Sequence, residues 1–153
     1  MNEIPWLLTL LGAAVLLDLL SAATNAAFTH VQLPNLLSVF EREPHKAERT
    51  IKVAEKLGLR TSLRLAVTFA HMMVGALTVL VTNYYLPKLH FSWFLLITLG
   101  VLVLLCVFEH LIERAVLTAP EKAADTWHFF AEFLHFFFRP LSMIMVGLLG
   151  SQA

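Results

Sequence analysis

Three long apolar runs, Ile4 to Phe28, Leu65 to Leu86 and Phe91 to Phe108, constrain this chain more than any other feature. A bilayer core about 30 Å thick takes roughly 20 residues of helix, so each run is close to the length that spans it. The 153 residues are 58% apolar and 14% charged, with mean hydropathy +0.74. That leaves too little polar surface for a soluble domain of this size. The expected fold class is an all-α membrane protein with three transmembrane helices at about 4–28, 65–86 and 91–108, forming one domain over 1–153 with the lipid bilayer as its main partner. The first run has no basic residues ahead of it and is too long for the core of a cleaved signal peptide.

Charge sets the expected orientation. Of the eleven basic residues, Arg42, Lys46, Arg49, Lys52, Lys56, Arg60 and Arg64 fall between the first two runs, and Arg114, Lys122 and Arg139 follow the third. The opposite side holds Lys88. By the positive-inside rule, the N-terminus lies outside and the C-terminus in the cytosol, with the chain placed in the plasma (inner) membrane. A formal net charge of zero gives nucleic acid no electrostatic footing as a partner, although the basic connector suits anionic lipid headgroups. Cys106, alone in the third run, reads as a small buried apolar residue.

The connector, 33–60, is expected to be helical. Leu36, Leu37 and Phe40, then Ala47, Ile51 and Ala54, recur at helical spacing, Pro44 marks a break between two short helices, and Gly58 suits the end of the second. After the third run, Thr118, Pro120 and Glu121 make a helix start. From there an amphipathic juxtamembrane helix is expected over 119–139. His128, Glu132, His135 and Arg139 line one face, and Trp127, Phe130, Ala131, Phe133, Leu134, Phe137 and Phe138 form the other, which would lie down in the membrane interface. The tail, PLSMIMVGLLGSQA, is about half a span long and is expected to be interfacial or packed on the spans.

Polar residues inside the runs carry the functional signal. Asp18, Ser21, Asn25 and Thr29 follow steps of three, four and four, one stripe of a helix with Thr24 beside it. Arg64, Thr68, His71, Gly75, Thr78 and Thr82 make a second polar or small seam. Glu109 and Glu113 share a face at the end of the third run, next to His110 and Arg114. Such seams serve as ordinary glue between membrane helices. Buried carboxylates are another matter, since a charge in the bilayer costs about 2.5 kcal/mol or more on insertion scales. Asp18 and Glu109 therefore point either to a function or to a pairing with His71 or Arg64.

If these stripes converge, their chemistry is that of hard-cation binding. Mg²⁺ takes about six oxygens, usually one or two carboxylates with hydroxyls, amides, carbonyls or water. Asp18, Glu109, Ser21, Asn25 and a threonine of the second span offer that set. His71 and His110 would suit a softer ion such as Zn²⁺ or Mn²⁺. The histidines also raise haem binding, through His30, His71 and His110, or metal or haem binding by His128 and His135.

The segment SAATNAAFTH, Ser21 to His30, resembles the Ser-Ala-Ser-Glu-Thr-Ala-Leu-Phe-Ser motif of the first helix in CNNM/CorC magnesium transporters. The likeness runs on through a basic helical connector, a second span, a third span ending in an acidic residue and a proline-containing juxtamembrane helix, so it covers nearly the whole chain. It implies a homodimer of three-span modules exporting Mg²⁺, with Na⁺ as the coupling ion. By position, it implies ion contacts at Ser21, Thr29 and Glu109. Ala23 and Thr24 stand where the family has serine and glutamate, and Ala70 and His71 where it has Gly-Asn. No nucleotide-binding CBS pair follows in the sequence given: either those parts sit on a separate CBS-domain protein as a partner, or they have been lost, or this is a fragment of a longer chain.

The expected function is thus divalent-cation transport, with Ser21, Asn25, Thr29, Glu109, Asp18 and His71 as metal-site candidates. The alternative is a non-transporting membrane scaffold or regulator with a degenerate ion site. No nucleophile elbow, phosphate loop or paired catalytic carboxylate appears, so no enzyme is expected.

Overall fold

A computed structural model describes residues 4–41 and 43–149. Arg42 of the basic connector and the last residues of the tail, 150–153, lie outside the described residues. Six helices follow one another: α1 Ile4–His30, α2 Leu33–Val39, α3 Pro44–Ala54, α4 Leu59–Tyr85, α5 Phe91–Val116 and α6 Pro120–Leu149. The fold is all-α, with no strand among the described residues.

Four helices are long and apolar enough to cross a membrane: Trp6–His30, Leu59–Tyr85, Phe91–Val116 and Pro120–Leu148. The protein has the architecture of an integral membrane protein. The three apolar runs all lie within long helices, which extend further at their connector ends. α4 begins at Leu59, six residues ahead of the apolar run, because Arg60 and Arg64 point outward while Ser62, Leu63 and Ala66 pack inward. α5 continues past Glu109 to Val116, carrying its charges on a regular helix rather than ending where they begin.

The fourth long helix differs from expectation. The juxtamembrane helix 119–139 and the apolar tail form one continuous element, α6, which passes through Pro140. Proline removes a backbone donor and normally breaks or kinks a helix. Here Pro140 is exposed, so its ring is not wedged against a neighbouring helix.

α1 packs against α4, α5 and α6. Small residues hold it close: Ala14, Ala23, Ala26 and Ala27 of α1, with Ala66 and Ala70 of α4, are all buried. Without a hydrophobic drive between helices in lipid, close backbone approach of this kind is what makes them adhere. Phe28, Val53, Leu59, Leu63, Ala124, Ala131 and Leu134 belong to one core at the connector end, joining α1, α3, α4 and α6. A second core, Ala14, Val74 and Leu105, lies deeper among α1, α4 and α5. Leu105 is the buried residue of α5 among those described; Leu95, Leu96, Leu99, Val103, Leu104, Val107 and Phe108 face outward.

The connector folds as its spacing predicts, into two short helices broken before Pro44. Gly58 sits ahead of α4 with φ of 77°, a conformation that side chains other than glycine's resist. A Cβ there would also come within 3.2 Å of the Ser142 hydroxyl. α3 runs parallel to the first half of α6. Arg49 bonds Asp125 at 2.8 Å, Thr50 approaches the same carboxylate, and Lys56 pairs with Glu132. Further along α6, His135 meets Ser62, Phe138 meets Phe69 and Ser142 meets Gly58. From Glu132 to Ser142 the helix advances about 15 Å, yet Lys56, Ser62 and Gly58 all lie at the beginning of α4 or just before it. Phe69 lies further into α4, so these contacts of α6 cover the connector-side part of that helix.

The expected faces of α6 are partly exchanged. His135, read as solvent-facing, is buried and lies 3.0 Å from the Ser62 hydroxyl. Phe133 and Phe137 are exposed together with Phe129 and Phe136. Three phenylalanines in succession leave the aromatic side of this helix wide, so the side that meets the bundle is chosen by its small residues, Ala124 and Ala131.

Candidate functional site

Polar residues of three long helices, α1, α4 and α5, meet at one point. Asp18 lies near the midpoint of α1, His71 near the midpoint of α4, and Glu109 about two turns before the end of α5. Asp18 Oδ1 is 3.0 Å from His71 Nδ1, and Glu109 Oε1 is 3.5 Å from the same nitrogen. Cys106, one turn ahead of Glu109 on α5, places its sulfur 3.7 Å from His71 Nε2. His71, Cys106 and Glu109 each offer a ligand atom, and the three atoms lie within 4.8 Å of one another.

Helix register explains the convergence. Ala14 on α1, Val74 on α4 and Leu105 on α5 share the deeper core. Residues one turn nearer the connector on each antiparallel partner, Asp18 and His71, then fall level with each other, and Glu109 lies one turn beyond Leu105. Asp18 is fully buried, and neither of its carboxylate oxygens has a hydrogen bond. Glu109 Oε1 is also buried without one. Desolvating a carboxylate is costly. The cluster thus holds strong acceptor capacity with His71 as the cationic or donor partner at its centre.

The other sequence candidates occupy different levels. Ser21 is buried, but its hydroxyl donates to the Leu17 carbonyl at 2.7 Å, and Thr24 makes the same bond to Leu20. Asn25 Oδ1 is buried without a hydrogen bond, two turns along α1 from Asp18. Thr29 is half-buried and lies roughly 16 Å along the helix axis from Asp18. Within one stripe, then, Asp18 joins the cluster, and Asn25 forms a separate orphaned acceptor nearer the connector.

The second seam divides similarly. Thr78 and Thr82 are buried, Thr78 donating back to Val74, whereas Arg64 and Thr68 are exposed. Of the two partners anticipated for the carboxylates, His71 is the one in place. Glu113 lies 3.8 Å from His30 and 3.9 Å from His110 at the surface. His30 lies about 18 Å along α1 from the level of His71, too far for the two to ligate one haem iron.

Cys106 corrects the sequence reading. It is exposed, not buried, and belongs to the cluster. The signal was present as the i, i+3 spacing of Cys106 and Glu109 in CVFEH, which puts thiol and carboxylate on one side of α5. Apart from this cluster, a concavity of about 480 Å³ is lined by Lys56, Glu132, His135 and Arg139 where the connector meets α6.

Among known protein-family models, curated proteins and solved structures, none matches this chain. The class defined by the fold is an all-α integral membrane protein, and its distinguishing feature is a histidine held between two carboxylates half-way along the spans.

Proposed function

We propose that this chain is a divalent-cation transport module of the CNNM/CorC type, acting as a homodimer, with its ion held where Asp18, His71 and Glu109 meet. The observation that carries this reading is the pair of buried carboxylates from two different helices around one imidazole. Ionisable groups inside a bilayer are expensive, face the bundle interior and mark ion pathways. Opposed carboxylates give a divalent cation a locus midway across, and separate helices allow access to pass from one side to the other as the helices tilt.

In this reading α1, α4 and α5 span the membrane with the N-terminus outside, and α6 lies in the cytosolic interface. Two features support the interfacial placement. α6 meets α4 at the connector-side part of that helix, from Ser62 to Phe69, and it exposes Glu132 and Arg139 near its middle, where a fourth span would carry them into hydrocarbon at about 2.5 kcal/mol or more each. Phe129, Phe133 and Phe136 then face the lipid headgroup region as an aromatic anchor.

The same geometry favours one other reading, a scaffold in which His71 simply neutralises the carboxylates and locks the three helices together. Flux separates the two. Reconstituted in proteoliposomes, the wild type should move divalent cations, Glu109→Ala should lose most of that flux, and Ser21→Ala, whose hydroxyl is bonded to its own helix, should retain it. Equal flux from the wild type and Glu109→Ala would remove the cluster from the ion path.

A further inference from the structure

Resting on the ion-binding reading above, we propose that the cluster is a thiolate-containing site for a transition-metal ion of the zinc type, ligated by His71 Nε2, the Cys106 sulfur and the Glu109 carboxylate, with Asp18 orienting the imidazole. Every atom facing His71 Nδ1 is an acceptor: Asp18 Oδ1 at 3.0 Å, the Val67 carbonyl at 3.3 Å and Glu109 Oε1 at 3.5 Å. The ring proton therefore sits on Nδ1, and Nε2 keeps its lone pair. That lone pair faces the Cys106 sulfur at 3.7 Å.

Two ligands on a tetrahedral zinc, with Zn–S about 2.3 Å and Zn–N about 2.0 Å, stand roughly 3.5 Å apart. The sulfur and Nε2 are already close to that spacing. Asp18, fully buried, points its Oδ1 at the far nitrogen of the same ring. A carboxylate behind a metal-bound histidine is the usual way to fix its tautomer and raise its basicity. The Glu109 carboxylate supplies the third donor, with an oxygen within 4.8 Å of the ligand atoms of His71 and Cys106.

The donor set discriminates among ions. Mg²⁺ takes about six oxygens and dehydrates reluctantly, whereas one sulfur, one imidazole and one carboxylate suit zinc and its neighbours. Ligation displaces the Cys106 thiol proton to solvent, leaving a thiolate–metal bond. Three protein ligands leave one coordination position open, where water or a fourth ligand can exchange as the ion arrives and departs.

Co²⁺ added to the full-length protein in detergent reads the ligands directly. The wild type should develop intense tetrahedral visible absorption together with a near-ultraviolet thiolate-to-cobalt band, and Zn²⁺ should displace both while Mg²⁺ does not. Cys106→Ser, a small change at an exposed position, should lose the thiolate band, and its affinity for Co²⁺ should fall at least about tenfold. If Co²⁺ binds without a thiolate band and Glu109→Gln abolishes that binding, the thiolate site is overturned while the ion-binding reading stands. If the wild type binds no divalent ion, both fall.

Discussion

His71 is the residue on which most depends, because it is the basic partner of both carboxylates. Removing one member of a buried charged group costs about 3–5 kcal/mol, since the remaining charge is left unpaired. His71→Leu should therefore destabilise the protein by about 3 kcal/mol in denaturant or thermal unfolding in detergent. Adding Asp18→Asn to the same chain should recover much of the loss, because the stranded charge is gone. An unchanged midpoint for His71→Leu would mean that the pairing contributes nothing to the fold. At this scale the sequence was informative about types and poor about partners. Asp18 and Glu109 stand out in any reading of apolar runs, but nothing within α1 says that its aspartate meets α4 at residue 71 rather than 64. That choice depends on helix register, set by alanines distributed over both helices. Cys106 was missed for a related reason: a single cysteine has no spacing pattern of its own, and its meaning came only from a histidine on another helix.

Among the elements, α6 departs furthest from what its sequence suggests. Pro140 and the change from charged to apolar residues imply a helix followed by a tail, whereas the chain continues as one helix to Leu149. Its length and composition would serve a span or an interfacial helix equally well; the exposed Glu132 and Arg139 near its middle favour the second. Depth measurement decides between them. In a Cys106→Ser background, probes at Phe129→Cys, Phe136→Cys and Leu148→Cys should be quenched to similar extents by lipids labelled near the headgroup. A steady progression toward quenching by labels at the chain ends would show that α6 enters the hydrocarbon. The connector was easier to read. Pro44 and the spacing of Ala47, Ile51 and Ala54 are local signals, and α2 and α3 form within them. Which side of α6 meets the bundle was not local, because the alanines that decide it match alanines and leucines brought together only by the fold.

The whole molecule is arranged in two tiers. Near the connector, α3 and α6 lie against the ends of α1 and α4 through a core of alanine, leucine and phenylalanine and through the Arg49–Asp125 and Lys56–Glu132 pairs. Deeper in, three helices surround a polar cluster while α5 turns most of its apolar surface outward. A tilt of α5 against the α1–α4 pair would move Cys106 and Glu109 relative to Asp18 and His71, which is how ion affinity and access would change together. Equilibrium binding of a divalent ion to the purified protein tests the cluster as an ion site most directly. The wild type should bind one ion per chain. In a folded Glu109→Gln variant, which keeps the side chain's shape and removes its charge, affinity should be weaker by at least about tenfold. Equal affinity in the two proteins would contradict it.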